Sequence, residues 1–226
     1  MSSFKVDNDY IKFIFGYMKK KKNYHHGNLK SACMEEGLRL IQKNGSYDFS
    51  MRDISKNLGV SHGAPYKHFE TKEALLASLA EAGFHKLTNQ LEEVKNENYK
   101  NKLELLYKIA VMYIQFGTTN PEYYKLMYGG IIQDAEMYPS LYEASVKCYN
   151  TFLETIESLM KSKELIPSSD SNLLTFYSWS LLHGLVSLAQ DNRLNIAFRE
   201  ANANNPQQLM EELFSYFLNG VGHNLK

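Results

Sequence analysis

A chain of 226 residues with 44% hydrophobic and 22% charged side chains has the profile of a folded protein with a substantial core. No apolar run reaches the roughly 18 residues that a membrane span needs, and no basic stretch precedes a long apolar one as in a signal peptide. Two distant cysteines, Cys33 and Cys148, make neither a C-x-x-C pair nor a disulfide framework, which points to a reducing compartment and so to the cytoplasm.

The formal net charge of zero hides an asymmetry. Residues 1–86 carry 14 Lys/Arg against 9 Asp/Glu, and residues 87–226 carry 11 against 16. A basic first part joined to an acidic remainder suits a division of labour in which only one part faces phosphates.

In chain order, residues 1–23 form an N-terminal extension. "YIKFIFGYM" at 10–18 is apolar and aromatic without a clear period, and Lys19–Lys22 form a basic run after it. Two readings stand: an ordered segment packed on the first helical domain, or translation from Met18 with a short basic arm. The lysines are a solvated run or a phosphate contact.

A first helix is predicted over 28–44, with Leu29, Cys33, Gly37, Leu40 and Ile41 on one face and Asn44-Gly45 as its end. Ser50 caps a second, short helix, "MRDISKNL", with Asp53 completing a capping box. Gly59 closes it. Ser61 is placed as the cap of a third, with Pro65 in its first turn, where proline is tolerated best. Val60 and Phe69 anchor that segment. Thr71 caps a long helix to about Val94, buried along Leu75, Leu76, Leu79, Leu87 and Leu91.

Helices then read as 102–118, 121–130, 140–163, 170–192 and 206–222, with Asn120-Pro121 as a cap and first position. In 140–163 the stripe is Tyr142, Ser145, Tyr149, Phe152, Ile156, Leu159 and Lys163. No segment alternates like a strand. The predicted fold class is all-α: a three-helix head on a larger helical body, about nine helices in all.

Two short helices joined by a tight glycine-containing turn, behind a third, make a helix-turn-helix. The second of the pair must enter the DNA major groove, so its outer face needs small residues and donors. The segment "GVSHGAPYKHF" supplies both.

"YHHGNL", "FSMRDISKNLGVSHGAPYKHFETKEALL" and, further on, "WSLLHGL" resemble the tetracycline-repressor-like (TetR) family of transcriptional regulators, the last as a Trp…His-Gly type of C-terminal domain. The resemblance implies four regions: the arm at 1–23, a DNA-binding domain at 24–71, a connecting helix at 72–95, and a ligand-binding and dimerisation domain at 96–226. It places Ser50 and Arg52 on phosphate, Ser61, His62, Gly63 and Ala64 at base edges, and Lys67 on guanine or backbone. Tyr66 and His68 match the family's phosphate-contacting pair, or else seal the head against the first helix. Lys72 would hold phosphate at a helix N-terminus.

The resemblance further implies a homodimer on double-stranded DNA and a small-molecule inducer. One short helix reads only about three or four base pairs, so two copies on a palindrome are expected. The helices 170–192 and 206–222, apolar on more than one face, are the expected dimer seam. For the ligand, the candidates are Met112, Phe116, Tyr124, Met127, Tyr128, Trp179 and His183; core filling is the plainer fate of such side chains.

Repression, rather than activation, follows from the family's habit. A protein partner in place of a small molecule is the rival form of control: a closed, solvent-excluded cavity in the body would favour the ligand, and a fully packed body the partner. An enzyme finds little support. No H-E-x-x-H, G-x-S-x-G, Walker A or G-x-G-x-x-G occurs, and His25, His26 and Cys33 match no zinc spacing. No cofactor is implied.

Overall fold

The computed structural model describes residues 28–99, 101–162, 170–191, 193 and 212–217. The N-terminal extension, its alternative start at Met18, the entry at His25–Gly27 and most of 206–222 lie outside the described residues.

Seven α-helices follow in order: α1 Leu29–Asn44, α2 Met51–Leu58, α3 Lys72–Lys95, α4 Lys102–Thr119, α5 Pro121–Tyr128, α6 Pro139–Lys161 and α7 Ser171–Gln190. Residues 212–217 are also helical. Among the described residues there is no strand, and no helix is long and apolar enough to cross a membrane.

Local chemistry fixes the starts and stops. The Asn28 side chain accepts from the Ser31 N–H, and Gly45 ends α1 in the left-handed region. Ser50 and Asp53 form the reciprocal box that opens α2, and Gly59 closes it at φ 68°, a conformation that carries little penalty only for glycine. Thr71 caps α3 through the Ala74 N–H.

Asn120 occupies the cap position of α5 without bonding it. Its amide instead donates back to the Phe116 carbonyl at 3.0 Å, and its oxygen accepts from Lys86 Nζ at 2.6 Å. Pro121 at the first helical position needs no donor partner of its own.

The third element of the head differs from expectation. Residues 61–64 form a turn, and only Pro65–Lys67 is helical, as one 3₁₀ turn. Ser61 does not cap it through its side chain; its carbonyl accepts from the Ala64 N–H at 3.0 Å. In an α-helix that carbonyl would take the N–H of residue 65, but Pro65 has none. The tighter i→i+3 bond is what remains.

α3 is the spine. Its first half packs Leu75, Leu76 and Leu79 on Cys33 and Ile54 of the head, and its second half presents Phe84, Leu87 and Leu91 to the body. Its most extensive packing is against α6, then α5. α4, α6 and α7 complete the body, with a second small cluster where Leu106, Ile156, Leu159 and Leu174 meet Phe217.

The buried seam of α6 runs through Leu141, Ala144, Cys148, Thr151, Thr155, Ile156 and Leu159. It includes Ile156 and Leu159 of the expected stripe, but in the first half of the helix it lies one position earlier than Tyr142, Ser145 and Tyr149. Tyr142 is exposed, and Ser145, Tyr149 and Phe152 are half-buried flank residues. Small Ala144 and Thr151 sit in the seam because α3 crosses there closely, and period alone does not distinguish them from surface. Lys163 lies outside the described residues.

Candidate functional site

Two regions carry chemistry, the outer face of the head and a cavity in the body.

On the head, Ser61, His62 and Gly63 are exposed, Ala64 half-buried, and Tyr66, Lys67 and His68 exposed. Pro65 and Phe69 are buried beneath them, Phe69 at 2% exposure, so two apolar pegs hold a short polar ledge. Tyr66 at 51% exposure stands outward and does not seal the head against α1. No Arg lies on the ledge.

Arg52 is exposed at the start of α2. Ser50 is engaged already: its N–H and its hydroxyl both donate to Asp53 Oδ2, at 2.8 and 2.7 Å. Those bonds hold the Asp53 carboxyl below its ordinary value. A phosphate at Ser50 would have to displace that carboxylate. Lys72, the first residue of α3, lies with its Nζ 5.0 Å from the centre of the Phe49 ring, which supports its stem near the Ser50 end of α2.

Within the head, Glu36 ties α1 to α2. Its carboxylate accepts from Arg39 at 2.6 Å and from Asn57 of α2 at 2.7 Å. Burial pushes this carboxyl up, but the hydrogen bonds from Arg39 and Asn57 and the charges of Arg39 and Lys43 outweigh it, and the net shift is downward.

The body holds a cavity of about 500 Å³ between α3, α4, α5, α6 and α7. Met112, Met127, Tyr128 and Trp179 of the ligand candidates line it, with Phe84, Leu87, Leu91, Ile109, Tyr113, Leu126, Ile132 and Leu182, and with Ser145, Cys148, Tyr149 and Phe152 from α6. Phe116, Tyr124 and His183 do not line it. Phe116 is core at 1% exposure.

Tyr124 and His183 stand behind the wall in a chain of hydrogen bonds. Trp179 Nε1 donates to the Tyr113 hydroxyl at 2.9 Å; the Tyr113 and Tyr124 hydroxyls are 3.1 Å apart; Tyr124 Oη is 2.6 Å from His183 Nδ1. Burial pushes all three phenols, Tyr113, Tyr124 and Tyr128, upward, so each keeps its proton. Burial pushes His183 down, which favours the neutral imidazole.

The sequence signal that reaches this arrangement is the four-residue spacing of Trp179 and His183, which puts both on one face of α7. Tyr113, the hub, was legible only as one aromatic among several on α4. The α6 contribution to the wall was hidden in a stripe that reads as ordinary core.

The family profile described as "Bacterial regulatory proteins, tetR family" matches residues 34–79, and that described as "Tetracyclin repressor-like, C-terminal domain" matches residues 106–213. An uncharacterised HTH-type transcriptional regulator of Bacillus subtilis (strain 168), YerO, is 31% identical over 68 residues, 30% of this chain. The chain spans about a quarter (24%) of that curated relative's length.

Among solved structures, a protein of unknown function from Rhodococcus sp. RHA1 superposes with a TM-score of 0.76 at 25% identity, over 90% of this chain and 100% of its own. The transcriptional regulator FadR from Bacillus subtilis, solved in complex with stearoyl-CoA, superposes at 0.60 with 16% identity, over 72% of this chain and 88% of its own.

Proposed function

The chain belongs to the TetR family of DNA-binding transcriptional regulators, and on that premise we propose that it is a homodimeric repressor of a palindromic operator, released when a small, mostly apolar molecule fills the body cavity. The observation that carries the reading is the course of α3. Its N-terminus, Lys72, adjoins the polar ledge, and its second half, Phe84, Leu87 and Leu91, is a wall of the cavity. A ligand that favours one position of those residues biases the same rigid helix that carries the head.

On the DNA side, His62, Gly63, Ala64 and Lys67 face base edges, with Ser61 beside them, while Arg52, Tyr66, His68 and Lys72 hold phosphates. Ser50 contributes less directly, because its donors are engaged by Asp53. With donors this modest, DNA shape supplies part of the specificity. Two copies are needed, and α7 offers the surface for pairing: Leu173, Phe176, Tyr177 and Leu188 are exposed on it, with Tyr216 beyond.

A partly open pocket of about 500 Å³, in place of a fully packed body, supports a small molecule over a protein partner as the controlling agent. That a regulator of the same fold was solved holding stearoyl-CoA is consistent with a ligand in this body.

Selection of bound duplexes from a random pool at near-physiological salt, followed by challenge with a metabolite and drug panel, tests the reading. A palindromic consensus released by one compound is the expected result. Recovery of no consensus would mean that the head binds backbone alone, and the regulator reading would fall.

A further inference from the structure

Among the described residues that line the body cavity there is no Asp, Glu, Lys, Arg or His. The lining is mostly aromatic rings, aliphatic branches and the thioethers of Met112 and Met127, surfaces that gain from apolar contact. Burial pushes Tyr113, Tyr128 and Cys148 upward, so these three stay protonated at neutral pH.

The rim adds little positive charge. Gly130 and Val146 are the exposed residues of the described lining. Residues 129–146, which run from the end of α5 along the start of α6, carry Asp134, Glu136 and Glu143 and no Lys or Arg. The shallow outer groove that shares Val146 with the cavity is lined by Glu92, Glu143 and Glu154 against Lys147. Lys95 is drawn between two of those carboxylates, 3.6 Å from Glu92 and 3.5 Å from Glu154. An anionic head thus has no cation inside the cavity and meets more carboxylates than lysines outside it.

Resting on the ligand reading of the cavity, we propose that its ligand is an uncharged, largely apolar molecule, and that ionised carboxylates and acyl-CoA thioesters of the same chain are excluded. Burial between these walls strips water from a carboxylate and returns no partner of opposite charge, a cost that apolar contacts do not offset. A cation finds aromatic faces but no carboxylate in the lining, so the neutral molecule is favoured over it as well.

Trp179 is the single tryptophan and lines the cavity, so its fluorescence reports occupancy directly. The full-length protein is titrated at neutral pH with methyl decanoate, decanoate, decanoyl-CoA and decyltrimethylammonium. The expected result is saturation by methyl decanoate, with an affinity at least about tenfold above that of each charged probe. Val146→Lys and Ser145→Lys each bring an ammonium to the rim from α6. In at least one of them decanoate affinity should rise about tenfold or more, while that of methyl decanoate stays within about twofold.

Any of the three charged probes binding as tightly as methyl decanoate overturns the proposal while leaving a ligand cavity standing. A decanoate affinity that neither lysine variant raises also overturns it, because the exclusion would not then come from a missing cation. No saturable change with any of the four probes would take down the ligand reading together with this one. If neither variant folds, the wild-type ratios alone decide.

Discussion

Glu36 shows how much a single side chain can carry at the scale of the residue. It bridges α1 to α2 through Asn57 and takes a two-pronged bond from Arg39. Glu36→Gln should lower stability at pH 7 by about 1–2 kcal/mol, since a charge-assisted bond is lost and a partly buried partner is left over. The sign with pH comes from the depressed folded-state pKa. The carboxylate contributes stability above its unfolded value of about 4.3, and the contribution disappears as pH falls through the lower folded value. Denaturant melts at pH 7 and near pH 3 should show the gap between wild type and variant narrowing in acid. A gap that is constant with pH would mean that the variant acts through packing instead.

Lys72 is the second test at this scale. It lies over the Phe49 ring at the start of α3, and in the proposed docking it meets phosphate as a point charge and does not read a base. Lys72→Ala should weaken binding to all duplexes alike and reduce the slope of log K against log salt by about one. Changes at His62 or Lys67 should shift sequence preference instead. Unchanged affinity and slope in Lys72→Ala would mean that the head docks differently.

Among the elements, those with strong local signals were legible: the capping box at Ser50 and Asp53, the Gly45 and Gly59 stops, the Thr71 cap, and the leucine face of α3. The segment after Gly59 was legible as a breaker-rich ledge but not as a 3₁₀ turn, because its form depends on which carbonyl the missing Pro65 N–H leaves open. Ile156 and Leu159 of the α6 seam were legible, but its first half was misplaced by one position because large aromatics dominate a periodicity reading, whereas close helix approach selects small residues. Gly117 shows the same rule on α4. A Cβ there would overlap the side chain of Val186 on α7 and come within 3.1 Å of the Tyr124 ring. Gly117→Ala should therefore cost about 1–3 kcal/mol by overpacking, read as a lowered urea midpoint at unchanged slope. A neutral or stabilising effect would mean that α4 and α7 separate easily.

Over the whole molecule, the charge split and the apolar helices suggest two working surfaces, and α3 runs from the head into the body. The cavity could not be read from sequence. Met112, Met127, Tyr128 and Trp179 look the same whether they fill space or enclose it, and only the relative placement of five helices leaves about 500 Å³ open. The proposed pairing surface rests on exposure: Phe176 and Leu173 are 57% and 68% exposed on a helix whose other side is core. Phe176→Asp should shift the protein toward monomer in sedimentation and abolish tight binding to a two-half-site duplex, since each head alone reads too little DNA. A dimer that persists in this variant would place the seam elsewhere.

Regulation in this proposal requires that filling the cavity and holding the operator be coupled through α3. The decisive measurement is the Kd for the selected palindromic duplex with and without a compound that saturates the Trp179 signal. Coupling should make the affinity at least about fivefold weaker in the presence of the compound, with the compound's own affinity reduced by the same factor when DNA is bound, as reciprocity requires. Identical duplex affinity with the cavity empty and with it full would mean that α3 transmits nothing between the two sites.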